Sequence, residues 1–343
     1  MRILFFFIGL VAVVTSLAQS DGMAKREAKV RAQLAKGRPY KAISLCNGAL
    51  GLEDKPVFHV LLADAHNRIG EFAQAERDTR AGLLALPGDR EALLQLAIAE
   101  QGLGRTDSAI IHYRSLLSDS PDAGIRYRLA TTLQDRKDYV GALGELDVAL
   151  GALSAEDPAR PKMLRSKAEC LALSGDTAAA DATFASALAL APDDPVILNS
   201  RAWFLHAAYG QHAKAIADYD RAIKQNPNYS YAFNNRGWSK FKNGDPEGAL
   251  KDINLAKKKK PFNPYIYRNL GIIALARGDK KEACAQFRRA LDLNFTALHG
   301  DEVERLVREQ CGATNPVPPQ SAPANAPGEP KPVAPPARTN APE

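Results

Sequence analysis

The sequence predicts an all-α fold of about eight tandem helix pairs, and three observations predict it. Alanines recur at Ala42, Ala75, Ala109, Ala142, Ala180, Ala215, Ala249 and Ala283. Their steps are about 34 residues, the length of one helix–turn–helix unit. Five residues before these alanines stand Gly37, Gly70, Gly104, Gly175, Gly210, Gly244 and Gly278, with Lys137 breaking the series. Ala and Leu dominate while β-branched residues are sparse, which favours helix over sheet.

Each element follows from this register. A glycine at the turn lets the first helix of a pair end in the left-handed conformation. Small residues twelve before the alanine (Ala63, Ala97, Ala130, Ala168, Gly237, Gly271) and seven after it (Ala49, Gly82, Ala149, Ala187, Ala222, Ala256, Ala290) let paired helices approach closely. Pro87, Pro121, Pro192, Pro227 and Pro261 close units, where proline cannot continue a helix. Pro56, Pro161, Pro195 and Pro264 open them, where the missing N–H costs nothing. The units fall near 23–55, 56–89, 90–122, 123–157, 161–194, 195–229, 230–263 and 264–295. Two steps are longer: the extra residues before Ala180 lie in 154–160, and one before Ala215 lies in 207–212. Val303, Leu306 and Val307 then stripe an amphipathic helix, within 296–311, that caps the last unit. The stretch 312–343 is Pro, Ala and polar residues without aromatics, a composition expected to be disordered.

The N-terminus reads as a secretory leader. Arg2 is its positive end, 3–14 its apolar run, and Ser16-Leu17-Ala18 its small-residue cleavage site, giving 1–18 as leader and 19–295 as the array. An uncleaved anchor is the alternative, although the run is shorter than the roughly 20 residues a bilayer span needs. The expectation is therefore a periplasmic or secreted protein, bacterial by its repeat style, touching membrane only through an uncleaved leader. The net charge of +6 is spread among 39 acidic residues, which argues against a nucleic-acid partner.

The register resembles the tetratricopeptide repeat, clearest at 233–261 (FNNRGWSKFKNGDPEGALKDINLAKKKKP) and at 267–293, and covers roughly 23–295. The resemblance implies a right-handed superhelical solenoid whose concave groove is lined by the first helix of each pair. Family positions two, five, nine and twelve of those helices face the groove. In units six to eight they place Asn199, Trp203, Tyr231, Asn234, Trp238, Phe241, Tyr265 and Arg268 there. Rings and amides suit an extended peptide, or stacking on sugars. Core packing is the competing reading for both tryptophans, because the insertion leaves the register of Trp203 open. The carboxylate clamp of tetratricopeptide co-chaperones is absent: only Asn235 matches, while Asn199, Trp203, Tyr265 and Asn269 stand at its other positions.

Chemistry is missing. The six histidines are scattered, with no HExxH, phosphate loop, nucleophile elbow or dinucleotide fingerprint, so no enzyme, metal or cofactor is expected. Asp193-Asp194 reads as a helix cap. Cys284 and Cys311 form a disulfide if the cap helix folds back onto unit eight; otherwise they are two unrelated small residues. Cys46 and Cys170 read as free and buried. The function expected is a non-enzymatic scaffold binding a protein or peptide of the cell envelope, with glycan binding or assembly through the convex face as rivals.

Overall fold

The computed structural model describes residues 22–312, all in helices and short connections, with no strand among the described residues. The expected leader 1–18 and the tail beyond 312 lie outside them. Residues up to 136 and from 137 onward form two compact units.

The first unit holds α1 (22–35), α2 (Pro39–Leu50), α3 (Pro56–Ile69), α4 (Phe72–Ala85), α5 (Arg90–Gly102), α6 (Thr106–Asp119) and α7 (Ala123–Asp135). The second holds α8 (Tyr139–Gly151), α9 (Arg160–Ser174), α10 (Thr177–Leu190), α11 (Pro195–Ser200), α12 (His212–Gln225), α13 (Ser230–Lys242), α14 (Pro246–Lys259), α15 (Pro264–Ala276), α16 (Lys280–Asp292), α17 (Phe295–His299) and α18 (Glu302–Cys311).

The register explains the packing. All eight marker alanines are fully buried. Four residues after them, on the same face of the second helix, stand the large side chains Tyr113, Phe184, Tyr219 and Phe287, also buried. Phe287 projects at Gly271, the small residue of the first helix of its pair. A Cβ on Gly271 would lie 2.4 Å from the Phe287 ring, and one on Gly237 would lie 2.6 Å from Ile253. Small against large is therefore the contact that seats units seven and eight, and each buried ring or aliphatic chain contributes roughly 1.5–3 kcal/mol. Turns close with the seven glycines at positive φ, and Lys137 adopts the same conformation, φ 65°, where the glycine is missing. Aspartates open many helices: Asp89, Asp122, Asp138, Asp176, Asp194, Asp245 and Asp279 each accept a backbone N–H of their first turn. Of the Asp193-Asp194 pair, Asp194 is the cap, and Asp193 faces Arg221 at 3.5 Å.

One placement needs correction. The extra residue of unit six does not sit in 207–212. It is absorbed upstream, where Arg201–Ala207 widens into a π-helical turn and Ala208 donates to the Trp203 carbonyl five residues back. The widening moves Ala202, fully buried, into the small position and turns Trp203 half outward. A single inserted residue inside a helix forms a π-bulge when the flanking contacts stay in register.

Cys284 and Cys311 are joined by a disulfide, Cα to Cα 5.7 Å, which pins α18 to α16. Val303 and Val307 bury the apolar stripe of α18, and Leu306 packs beside the same core. Cys46 and Cys170 are buried thiols whose ionisation is pushed up to about 12 by desolvation, so neither is a nucleophile at ordinary pH.

Candidate functional site

The residues expected to line a groove in the second unit divide into two sets. Asn199, Asn234 and Tyr265 are buried. Trp203, Tyr231, Trp238, Phe241 and Arg268 remain partly open.

The buried asparagines join a ladder that links successive first helices. Asn269 donates to Asn234 (3.1 Å), Asn234 to Asn235 (3.2 Å) and Asn235 to Asn199 (3.2 Å), while Arg268 donates to Asn269 at the far end (2.9 Å). Two of these bonds, Asn269 to Asn234 and Asn235 to Asn199, cross between repeats, and the other two join adjacent residues of one helix. The amides therefore fix the spacing of units six, seven and eight, and the expectation that Asn199 and Asn234 hold a peptide backbone is replaced by this inter-repeat role. The same burial accounts for Asn235 and Asn269, the positions compared with the co-chaperone clamp. Tyr265 likewise belongs to the core: it meets Phe295 edge-on at 5.2 Å and His299 at 4.4 Å, and burial pushes its phenol up to about 12.

What remains open is an aromatic and cationic row. Trp203 and Tyr231 lean on the core of units five and six. Trp238 stands beside Phe241, ring centres 5.7 Å apart, and carries the Arg268 guanidinium 4.5 Å above its ring. Arg268 is held flat by Glu302 of α18, which accepts from Nε (3.1 Å) and from Nη2. Ile272 and Leu275 of α15, also half-buried, extend the row. The sequence reading misses these two although they occupy family positions nine and twelve of unit eight, the register that yields Trp238 and Phe241 one unit earlier. The part played by Glu302 has no such signal, since it depends on how the cap helix docks.

Polar pairs also clasp several hairpins of both units. Residues twelve apart across the turn face each other in four of them: His66–Asp78 (2.6 Å), Glu100–His112 (2.8 Å), His206–Asp218 (3.5 Å) and Lys240–Asp252 (2.9 Å). Arg201 and Arg236 add paired hydrogen bonds to Asp218 (2.7 and 2.6 Å) and Asp252 (2.8 and 2.7 Å). Three of the scattered histidines are thus members of one repeating clasp. No group of three metal-ligating side chains comes together among the described residues.

Helix pairs of one register, repeated with small-to-large seating, match the tetratricopeptide pattern at 91–123, 205–264 and 235–294. Over these residues the chain carries tetratricopeptide repeats. It is 25% identical over 278 residues to the mitochondrial import receptor subunit TOM70 of Saccharomyces cerevisiae, covering 74% of this chain and 45% of the receptor, in two strains alike. It thus spans less than half the length of these relatives. Among solved structures, a tetratricopeptide repeat protein from Parabacteroides merdae superimposes with a TM-score of 0.58 at 19% identity, over 70% of this chain and 92% of that one. The APC/C hetero-tetramer Cut9–Hcn1 gives 0.57 at 12% identity, over 82% and 54%. Both likenesses speak to the all-α repeat fold. The fold and the receptor relative together support a protein–protein interaction scaffold.

Proposed function

We propose that this repeat protein is an exported, non-enzymatic scaffold that binds an extended protein segment along the first helices of units six to eight. The carrying observation is the half-buried row Trp203, Trp238, Phe241, Ile272 and Leu275, rigidly backed by the asparagine ladder. Apolar side chains of a partner gain by leaving water against these rings, and aromatic anchors of low conformational entropy are common binding hot spots. With its guanidinium already committed to Glu302 and Asn269, Arg268 shapes the face of Trp238 and is no clamp for a ligand carboxylate. The Cys284–Cys311 bridge accords with an oxidising compartment, as does the leader read from the first 18 residues.

The test is capture of native partners by the full chain from a cell-envelope fraction, repeated with Trp238→Ala and Phe241→Ala. Loss of one and the same polypeptide in both variants, with retention by the distant surface variant Ile111→Ala, supports the reading. Retention by all three would place the partner elsewhere. Quenching of tryptophan emission by oligosaccharides but not by the captured polypeptide would replace peptide with envelope glycan.

A further inference from the structure

The aromatic row leaves one strongly charged region of the second unit without a role. At the C-terminal ends of the second helices α12, α14 and α16 stand Lys224, Lys257 to Lys260 and Arg289, with Asp292 as their one carboxylate in those turns among the described residues. The helix dipole accounts for some positive charge at such ends, typically 0.3–1 kcal/mol and within the last turn. It does not account for four consecutive lysines, nor for Phe262, which projects from the turn after them 61% exposed.

Contacts tie the lysines that end α14 to the helices and turns beside them. Lys259 reaches back to Asn228 in the preceding inter-repeat turn (2.9 Å). Lys260 lies 4.7 Å over Tyr231, and Lys257 and Arg289 share Tyr267 at 5.2 and 5.8 Å. Packing against rings holds the stems in place while Lys258 and Lys259 stay exposed.

We propose that this edge is a docking surface for an anionic phospholipid membrane, with Phe262 inserting at the headgroup level and the lysines meeting lipid phosphates. Ammonium groups are point charges that need no fixed partner geometry, which suits a fluid layer of phosphates better than a specific carboxylate site. An exposed phenylalanine at the tip of a cationic turn gains nothing from an acidic polypeptide's charges, but it gains from the acyl boundary of a bilayer. No helix among the described residues is long and apolar enough to cross a membrane.

The experiment is co-sedimentation of the full chain with phosphatidylcholine vesicles and with vesicles in which phosphatidylglycerol replaces about a third of the lipid. Binding to the anionic vesicles alone is expected, with release in high salt because exposed charges are screened. The double variant Lys258→Gln/Lys259→Gln should bind roughly thirtyfold more weakly, from about fivefold per lysine. Phe262→Ala should bind several-fold more weakly without change in melting temperature. Equal binding to both vesicle types, no binding, or full retention by Phe262→Ala overturns the proposal. So does displacement from vesicles by soluble polyglutamate with an affinity that Phe262→Ala leaves untouched, which would make the edge an acidic-peptide site.

Discussion

Glu302 of the cap helix grips Arg268, 34 residues earlier, and so holds that guanidinium against Trp238. The terminal helix therefore does more than cover the last core: it sets one wall of the candidate site. Its own position depends on the Cys284–Cys311 bridge.

Reduction of that bridge, or Cys311→Ser, should lower stability by about 3 kcal/mol, the loop-closure value for a cross-link of this span. In a repeat array the loss starts at the end unit, since each unit is stabilised only by its neighbours. The check is thermal unfolding with and without dithiothreitol, followed by circular dichroism and by tryptophan emission. The emission of Trp238 should shift before the bulk helix signal falls. A Cys284→Ser chain that melts identically to the oxidised wild type would remove the cap from the account.

The asparagine ladder makes a second case. Asn235→Ala removes the donor to Asn199 and the acceptor for Asn234, leaving two buried polar groups unpaired. Each costs about 1–3 kcal/mol when its partner is lost, so a destabilisation of roughly 2–6 kcal/mol is expected. Asn199→Ala on top of Asn235→Ala should cost less than the sum, because part of the network is already broken. Additive urea midpoints would mean that the ladder is not a coupled network.

The array was legible because its physics is local and periodic. A buried Ala in every unit and a left-handed residue at every turn leave marks at fixed spacing, and even Lys137 obeys the backbone demand that its neighbours meet with glycine. The site was half legible. Register places Trp238, Phe241, Ile272 and Leu275 on one face, yet it cannot say that Asn199 turns toward Asn235 and Asn234 toward Asn269, or that Tyr265 is roofed by Phe295. Those outcomes depend on neighbouring units and on the cap. The π-turn at Arg201–Ala207 shows the limit most clearly: an insertion is countable in sequence, but where the helix absorbs it follows from which contacts on either side are harder to shift.

The small positions give opposite signs for the same chemical change. Gly48 lies exposed in α2 with nothing within 4 Å of an added Cβ. Gly48→Ala should stabilise by about 0.5–1 kcal/mol through helix propensity alone. Gly237→Ala gains the same propensity but drives its methyl to 2.9 Å from the Ala249 carbonyl and 2.6 Å from Ile253. A backbone carbonyl cannot rotate away, and overpacking of this kind costs about 1–3 kcal/mol, so the net effect should be destabilising. Urea unfolding of both variants checks the pair. If Gly237→Ala proves as stabilising as Gly48→Ala, close approach through small residues is not what seats unit seven.

Acid sensitivity should arise in unit six. His206 is buried, and desolvation holds its pKa below the usual 6.5 although Asp218 pulls the other way; Arg201 and Lys214 add to the lowering. His212 is lowered for the same reason, helped by Lys242. Both imidazoles are thus favoured neutral in the folded chain, whereas the unfolded chain takes up protons as pH falls through about 6.5. Between these values the unfolded state binds more protons, so stability rises with pH. It should be fully present above about pH 6.5 and lost progressively below it, down to the depressed folded values. Urea midpoints measured from pH 7.5 to 5 should fall for the wild type and stay nearly level for His206→Gln/His212→Gln. The window stops at pH 5 because Glu76, held low by Arg80 and Arg105, contributes the same sign of change only as pH falls below its usual carboxylate range. A double variant with the wild-type slope would assign the acid response to groups outside this hairpin.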